Sequence, residues 1–415
     1  MSERRRVVVT GLGAVTPLGN CARATWEAMI AGRSGVGPIT LFDSAQFAVR
    51  FAGEVKGFVP PPTIDAKDAR RMDRNVQFAV SAAGEAIADS GLVITPENAE
   101  DIGCVCGTAV GGIKTLLDGQ AILDARGPDR VGPFVLQNLI PDAASGQIAI
   151  TYGLKGHNMA VVSACATGGH ALGEAAEAIR RGDAVAMVAG GTEAAIVPVV
   201  LAGFTNMRAL ALDNDDPIRA SKPFDARRQG FVMSEGAAMM ILEDLDHAIA
   251  RGARVLAEFV GYGSTNDAFH LAAPADNGEG AARAIARALK RACIRPEEVD
   301  YINAHGTGTP LNDKYETAAI KSVFQSAANN LVVSSTKSMT GHMMGAAGAV
   351  EAFVCVRAIV DGIIPPTINL EVPDPDCDLD YAPLVARRRE VRVAMSNSLG
   401  LGGHNSCVVF RRFAA

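Results

Sequence analysis

Hydrophobic residues in this chain fall into short continuous runs, and longer stretches of helical periodicity stand between them. Runs bounded by glycine or polar residues are typical of strands buried on both faces. They predict strands at Val7–Gly13, Ile102–Gly107, Met159–Val162, Val185–Gly191, Val391–Met395 and Cys407–Phe410. The periodic stretches predict helices at Val76–Ser90, Glu174–Arg181 and Gly280–Cys293. This alternation indicates an α/β protein.

The sequence contains two pairs of similar segments, as a duplication would produce. Val161–Gly168 is similar to Val333–Gly341, because each has an apolar strand, a Ser/Thr-rich turn and a Thr-Gly pair that opens a small-residue helix. Asp101–Gly103 is similar to Asp300–Asn303, each before a glycine-rich turn. Strand–turn–helix units look alike in general, so the echoes alone do not establish a repeat. They would place the junction of two α/β halves near residue 255.

Composition and charge narrow the class of protein. The 415 residues, 48% apolar and 20% charged, suffice for two or three domain-sized units with a large core. A net charge of −6 argues against broad nucleic-acid binding. The eight cysteines show neither a disulfide framework nor zinc-ligand spacing, so we expect free thiols in a reducing compartment and no metal.

The N-terminus superficially resembles a secretion signal. The basic segment Met1–Arg6 precedes an apolar run, but Gly11, Gly13 and Pro17 interrupt that run and no small-residue cleavage site follows. The remaining long uncharged stretches contain Pro, Gly or polar residues, so we predict no membrane span. A cytoplasmic protein is expected.

A cysteine lies where a predicted strand meets a predicted helix. Cys165 faces the positive end of that helix and several free backbone N–H groups, which favour the thiolate and could stabilise an oxyanion. The arrangement is that of a nucleophile elbow with sulfur in place of oxygen. The alternative is that Cys165 is a small buried apolar residue.

Three further patches carry polar groups on glycine-rich turns. His305 follows an apolar strand and enters a Gly/Thr-rich turn, and Lys337 and His342 bracket a turn that opens a small-faced helix. Glu351, further along that helix, is a plausible partner for Lys337. The glycine-rich segment Asn397–Asn405 must bend sharply or move. The alternatives are a buried structural histidine, a structural ion pair and an ordinary hairpin turn.

One nucleophilic cysteine and two histidines on separate strand–loop units suggest a chemistry. Cysteine with histidine suits acyl transfer through a thioester, and a second histidine suits a second negative charge, such as an enolate.

Together the four patches resemble the elongating β-ketoacyl-[acyl-carrier-protein] synthases of fatty-acid synthesis, which belong to the thiolase superfamily. The resemblance runs nearly end to end and includes Gly203–Leu210, Gly230–Gly236 and Ile364–Leu370. It implies a thiolase-like five-layered αβαβα fold built from two duplicated halves. Residues 1–255 would carry the cysteine, and residues 256–415 would carry both histidines.

The resemblance also implies a role for each site residue. Cys165 would accept the acyl group, while His305 and His342 would stabilise the enolate formed when a malonyl thioester loses CO2. Lys337, supported by Glu351, would orient and polarise the site. Thr307 and Thr309 would bind the pantetheine arm, and the backbone N–H groups of Cys165 and Leu401 would form the oxyanion hole.

The resemblance further implies partners and a departure from the family pattern. Acyl carrier protein would deliver acyl and malonyl thioesters on its own phosphopantetheine, so the enzyme needs no cofactor, and a homodimer is expected. Leu399 and Leu401 stand where phenylalanine is commoner, which leaves gating and substrate choice open, and His404 stands where threonine is common. Basic candidates for carrier docking are Lys67, Arg70, Arg71 and Arg208, with Arg126 and Arg130 less clearly matched; Val110 would line the acyl tunnel near the dimer interface.

Other activities remain to be weighed. A polyketide ketosynthase would share all three catalytic residues, and a chain-length partner that binds acyl groups without elongating them would lack the cysteine. A thiolase needs a second catalytic cysteine in the last loop, which Cys407 fits poorly because it lies inside a predicted strand. Initiating synthases use Cys-His-Asn, and His342 stands against them.

Overall fold

The computed structural model describes residues 5–414, so the N-terminal residues 1–4 of the basic segment lie outside the described residues. The strands are β1 (Val7–Val15), β2 (Gly37–Pro38), β3 (Phe51–Ala52), β4 (Ile102–Gly107), β5 (Asn158–Met159), β6 (Ala186–Glu193), β7 (Gly236–Asp244), β8 (Ala257–Asn266), β9 (Tyr301–Asn303), β10 (Val332–Ser334), β11 (Ile363–Ile364), β12 (Arg387–Arg388), β13 (Val393–Gly400) and β14 (His404–Arg411).

The helices are α1 (Ala22–Ile30), α2 (Ala66–Ala69), α3 (Arg74–Ser90), α4 (Ile113–Arg126), α5 (Val135–Leu139), α6 (Ala143–Tyr152), α7 (Thr167–Arg181), α8 (Pro198–Asn206), α9 (Leu245–Ala250), α10 (Glu279–Ala292), α11 (Pro310–Phe324), α12 (Lys337–Thr340) and α13 (Ala347–Asp361). Within the described range, no helix is both long and apolar enough to cross a bilayer.

Ten strands form one sheet with an internal repeat. Their order is β10-β9-β13-β14-β8-β1-β7-β6-β4-β5. When the five sheet strands of each half are numbered 1 to 5 in chain order, both halves show the same spatial order, 3-2-4-5-1, from the outer edge inward. The halves join where Val7–Val9 pairs with Ala257–Phe259. The predicted duplication is therefore confirmed, while the division at residue 255 stays a prediction.

The helices form one central and two outer layers, and with the five strands of each half between them they make five layers. Helices α7 and α13 pack against each other, and each contacts strands of both halves, so they form the central layer. Helices α3 and α6 cover the outer face of the first half, and α10 covers that of the second together with α11, whose Ile320 and Phe324 share an apolar cluster with Ile302 and Val333. A Cβ at Gly168 would lie 2.5 Å from the backbone nitrogen of Ala349, so the central helices approach closely only because glycine stands there.

The predicted buried strand Met159–Val162 is wrong in extent and in burial. Strand β5 covers only Asn158–Met159 and pairs only with β4, and Val162 is 53% exposed. Edge strands bury less than central ones, and the chain here already turns toward Cys165.

One of the two sequence echoes also needs correction. The pair in Asp101–Gly103 and Asp300–Asn303 corresponds to the second strand of each half, as expected. In the other pair, Thr340 ends α12 instead of opening a helix, and α13 begins at Ala347. The true counterparts are two single 3-10 turns, Ala164–Ala166 before α7 and Met344–Ala346 before α13. The first residue of each turn has a positive φ, 49° and 44°.

Candidate active site

A cavity of about 490 Å³ brings together residues that lie far apart in the sequence. Residues predicted for the site that line it are Cys165, Arg208, His305, Thr307, Thr309, His342, Leu399 and Leu401. The first two come from the first half and the others from the second, so the site depends on both halves.

The cysteine sits on a strained turn between α7 and the glycine-rich loop. Ala164, with φ 49°, occupies a left-handed conformation that is costly for a residue with a Cβ. A Cβ at Gly400 would lie 2.8 Å from the carbonyl oxygen of Ser163 and 3.1 Å from the backbone nitrogen of Cys165. Glycine at position 400 thus lets the loop approach the turn, and the backbone N–H of Leu401 reaches the sulfur.

Burial of Cys165 outweighs the groups that favour its thiolate. Burial raises the pKa of Cys165 to about 11, although the charge of Lys337 and the hydrogen bond from Leu401 both lower it. Removal of the sulfur from water destabilises the thiolate by more than the nearby donors stabilise it. Cys165 therefore rests as a thiol, and its proton must leave during the reaction.

Both histidines are buried and neutral. Their rings meet edge to face, with centroids 5.3 Å apart and planes at 85°. Burial lowers the pKa of His305 and of His342 well below the usual value, and the charge of Lys337 lowers both further. A neutral imidazole keeps one N–H donor, which is the group that a developing oxyanion needs.

A buried lysine determines the tautomer of His305. Lys337 Nζ lies 3.3 Å from His305 Nδ1 and donates to the His305 carbonyl at 2.6 Å. It also pairs with Glu351, whose pKa burial raises to about 7 against the opposing charge of Lys337. Because an ammonium group only donates, Nδ1 must accept, and the His305 proton lies on Nε2.

A carboxylate that the sequence analysis missed holds the His305 turn. Glu316 accepts the backbone N–H groups of His305 and Gly306, each at 2.8 Å. Asp313, one turn earlier on α11, accepts the N–H groups of Phe224 and Gly308. Two acidic residues three apart after a glycine-rich turn were the available signal, but only the structure shows that they are buried.

The glycine-rich segment is indeed a hairpin turn, between β13 and β14. It is tied to the loop after β8, because Gly402 donates to the Leu271 carbonyl at 2.7 Å and Asp267 donates to the Gly403 carbonyl at 2.9 Å. Leu399 and Leu401 are half-buried in the pocket wall. The hydroxyls of Thr307 and Thr309 lie 2.9 Å apart on the segment between β9 and α11.

Other predicted residues lie outside the pocket. Val110 packs, half-buried, in the apolar cluster that contains Phe204, Phe231 and Met344, three residues that do line the pocket. Lys67 and Arg70 are exposed at α2, and Arg71 lies 4.7 Å from the Phe134 ring centroid. Exposed positions also hold Arg126 and Arg130. Only Arg208 of the basic candidates reaches the pocket.

Two further observations bear on the alternatives. Cys407 is buried within β14, burial raises its pKa, and it does not line the pocket, so it is no second nucleophile. Among residues 5–414, no group of three or more His, Cys, Asp or Glu is placed to hold a metal ion. Phe231, whose ring meets that of His342 edge to face with centroids 5.3 Å apart, is a pocket residue that the sequence analysis did not single out.

A cysteine on a strained turn, facing two neutral histidines between duplicated α/β halves, defines a thiolase-like condensing enzyme. Family models agree: the β-ketoacyl synthase N-terminal domain matches residues 4–248, and the C-terminal domain matches residues 256–371. The chain belongs to the β-ketoacyl synthase family.

Full-length relatives and solved structures support this assignment. The chain is 53% identical to 3-oxoacyl-[acyl-carrier-protein] synthase 2 of Synechocystis sp., covering 99% of each chain. It is 49% identical to the protein of the same name from Staphylococcus aureus, covering all of both. It is similar to the ishigamide ketosynthase/chain length factor (TM-score 0.92, 37% identical, 99% of this chain and 100% of that one). It is also similar to a type II polyketide ketosynthase solved with its acyl-carrier protein (TM-score 0.91, 34% identical, 99% and 100%).

Proposed function

We propose that this enzyme condenses an acyl group held on Cys165 with malonyl-acyl-carrier protein and thereby lengthens fatty acyl chains by two carbons. The observation that carries the proposal is the convergence of Cys165, His305 and His342 on one pocket, with Lys337 buried behind the histidines. The identities of 53% and 49% to proteins named 3-oxoacyl-[acyl-carrier-protein] synthase 2 support fatty-acyl over polyketide chemistry.

In the first half-reaction, Cys165 attacks the thioester carbonyl of the incoming acyl group. A carbon–sulfur bond to Cys165 forms, the bond to the pantetheine sulfur breaks, and the cysteine proton leaves with that thiol. The tetrahedral oxyanion would accept the N–H groups of Cys165 and Leu401, which lie close because Gly400 abuts the turn. Each preorganised donor is worth roughly 3 kcal/mol in the transition state.

In the second half-reaction, the malonyl thioester loses CO2 and leaves an enolate. The neutral rings of His305 and His342 would donate to the enolate oxygen, and Lys337 holds the His305 proton on Nε2. The enolate carbon then attacks the acyl carbonyl, the bond to Cys165 breaks, and the released thiolate takes up one proton from solvent to restore the thiol. These donors strengthen as charge develops, so they favour the transition state over the ground state.

We also propose that acyl carrier protein supplies the phosphopantetheine arm, with Thr307 and Thr309 along its path. A homodimer is supported by the open edge of β5, where Met159 is 40% exposed, and by Val162 just beyond that strand, which is 53% exposed, because unpaired edges with apolar side chains invite pairing. The eight cysteines are all free, which supports a reducing compartment such as the cytoplasm.

The test is incubation of the purified enzyme with acyl- and malonyl-carrier protein, followed by intact mass measurement of enzyme and products. The expected result is one acyl mass on the enzyme and a 3-oxoacyl product two carbons longer. Products extended repeatedly without reduction would instead indicate a polyketide ketosynthase, and acylation without any extension would indicate a chain-length partner.

Carrier docking is expected to depend on local positive charge despite the net charge of −6. Arg70→Glu and Arg208→Glu should raise the KM for carrier-bound substrate roughly two- to fivefold, because each removes one exposed attraction to an acidic partner. Free thioester analogues should be unaffected, and added salt should shrink the difference. Arg23→Glu, a reversal on α1 at a side chain that is 83% exposed, is the matched control. Equal effects on both substrate types would contradict a docking role.

The leucines of the glycine-rich turn are expected to form a permissive gate. Leu401→Phe should narrow the range of acyl groups and reduce uncoupled malonyl decarboxylation, since a flat ring seals the pocket better than leucine does. Acylation of Cys165 by a short substrate should change little, because the backbone N–H at position 401 remains. The alternative is that leucine fills the same apolar space as phenylalanine with its neighbours repacked, which changes stability by under about 1.5 kcal/mol. Wild type and variant would then show the same substrate profile.

A further inference from the structure

A second buried histidine system lies behind the nucleophile and has no part in the mechanism above. His170 is on α7, is 7% exposed and does not line the pocket. Its Nδ1 lies 2.6 Å from Ser163 Oγ, and its Nε2 lies 3.1 Å from Ser264 Oγ. The ring therefore joins a residue of the first half to a residue of the second.

The surroundings of His170 keep its ring neutral. Burial lowers the pKa of His170 to about 4, and a hydrogen bond to the Asn405 carbonyl partly opposes that shift. The ring is therefore neutral and has one N–H group and one acceptor nitrogen. Each neighbouring serine hydroxyl can donate or accept, so the ring can bond to both Ser163 and Ser264 in either tautomer.

Ser163 controls the position of the nucleophile turn. It immediately precedes the strained Ala164, its N–H donates to Thr167 Oγ1 at 2.8 Å, and its carbonyl accepts the N–H of Ala166 at 3.1 Å. Its side chain has one remaining partner, the His170 ring.

Asn405 holds the glycine-rich turn in place. Its Nδ2 donates to Asp267 Oδ1 at 2.6 Å and to the Gly403 carbonyl at 3.1 Å. It pairs with Thr265 of β8, next to Ser264, whose hydroxyl lies 3.1 Å from His170 Nε2. One ring therefore links the turn that carries Cys165, through Ser163, to the strand β8 that pairs with the base of the glycine-rich turn.

We propose that His170 is a positioning residue that holds the Cys165 turn against the glycine-rich turn, so that the backbone N–H groups of Cys165 and Leu401 stay aligned on one oxyanion. The inference rests on the proposed function, because it assumes that these two groups form the oxyanion hole. His170 touches no reacting atom and acts only through Ser163 and Ser264.

Removal of the His170 ring nitrogens should slow acyl transfer selectively. Without the ring nitrogens the two turns keep their chain connections but lose their shared anchor, and displacement of a donor by about 1 Å can cost as much as 100-fold in rate. Acyl transfer needs both backbone donors. Malonyl decarboxylation uses the donors of His305 and His342, which are attached to other segments.

The test compares His170→Phe, which keeps a ring and removes both nitrogens, with Ser163→Ala, which keeps His170 and removes its partner. The rate of Cys165 acylation at saturating acyl-carrier protein should fall roughly 10- to 100-fold in His170→Phe, and less in Ser163→Ala, with KM nearly unchanged. Malonyl decarboxylation should stay within about twofold of wild type in both. Tyr152→Phe is the matched control, because it removes a hydroxyl that donates to the Val80 carbonyl at 2.9 Å on a residue that does not line the pocket.

Wild-type acylation rates in folded His170→Phe and Ser163→Ala would overturn the proposal. So would equal losses of acylation and decarboxylation, since they would indicate general damage to the fold. If His170→Phe does not fold, Ser163→Ala decides by the same two rates. Failure of the proposed function is distinguishable, because the wild type itself would then take up no acyl group.

Discussion

Cys165→Ala is expected to abolish acyl-enzyme formation and condensation entirely. The sulfur is the only nucleophile among the pocket-lining residues on the Ala164–Ala166 turn, and no neighbouring side chain can replace the covalent bond that it forms. Intact mass measurement after incubation with acyl-carrier protein should show one added acyl group on the wild type and none on the variant.

Cys407→Ala is the matched control for that experiment. Cys407 is also a free thiol, but it belongs to the second half, is buried in β14 and does not line the pocket. Its loss should leave acylation unchanged. Acylation that persists in Cys165→Ala would reject Cys165 as the nucleophile. Loss of acylation in Cys407→Ala would indicate that Cys407 takes part in the reaction.

His305→Ala and His342→Ala are expected to separate the two half-reactions. Each variant should still take an acyl group on Cys165, because the oxyanion donors of that step are backbone N–H groups. Each should lose malonyl decarboxylation by roughly 100-fold or more, the scale of one lost oxyanion donor. Release of CO2 from malonyl-carrier protein, measured beside acylation by mass, gives both rates.

The paired geometry makes the two histidine variants informative together. The rings are 5.3 Å apart at 85°, so both can reach one oxygen, and their effects should be less than additive if they act on the same charge. His247→Ala is a suitable control, because that ring pairs with Glu243 at the α9 helix and lies outside the pocket. A histidine variant that decarboxylates at the wild-type rate would remove that residue from the proposed role.

Much of the fold and the nature of the chemistry could be predicted from the sequence. Continuous apolar runs specify buried strands, and Ile102–Gly107 appears unchanged as β4. Glycine-rich turns lie next to Cys165, His305 and His342, because functional groups there have free backbone and room for a ligand. These local signals depend on neighbouring residues alone, so one sequence suffices to read them.

Only the tertiary structure decided what depends on distant partners or on exclusion of water. Glu316 and His170 acquire their contacts from other segments of the fold, and no local pattern specifies those pairings. Helix position alone suggested a thiolate at Cys165, whereas burial by both halves keeps the thiol protonated. Val162 reads as a core residue and yet lies exposed beside an edge strand. Periodicity and turn chemistry are thus written in the sequence, while desolvation and the meeting of the two halves arise only once the chain has folded.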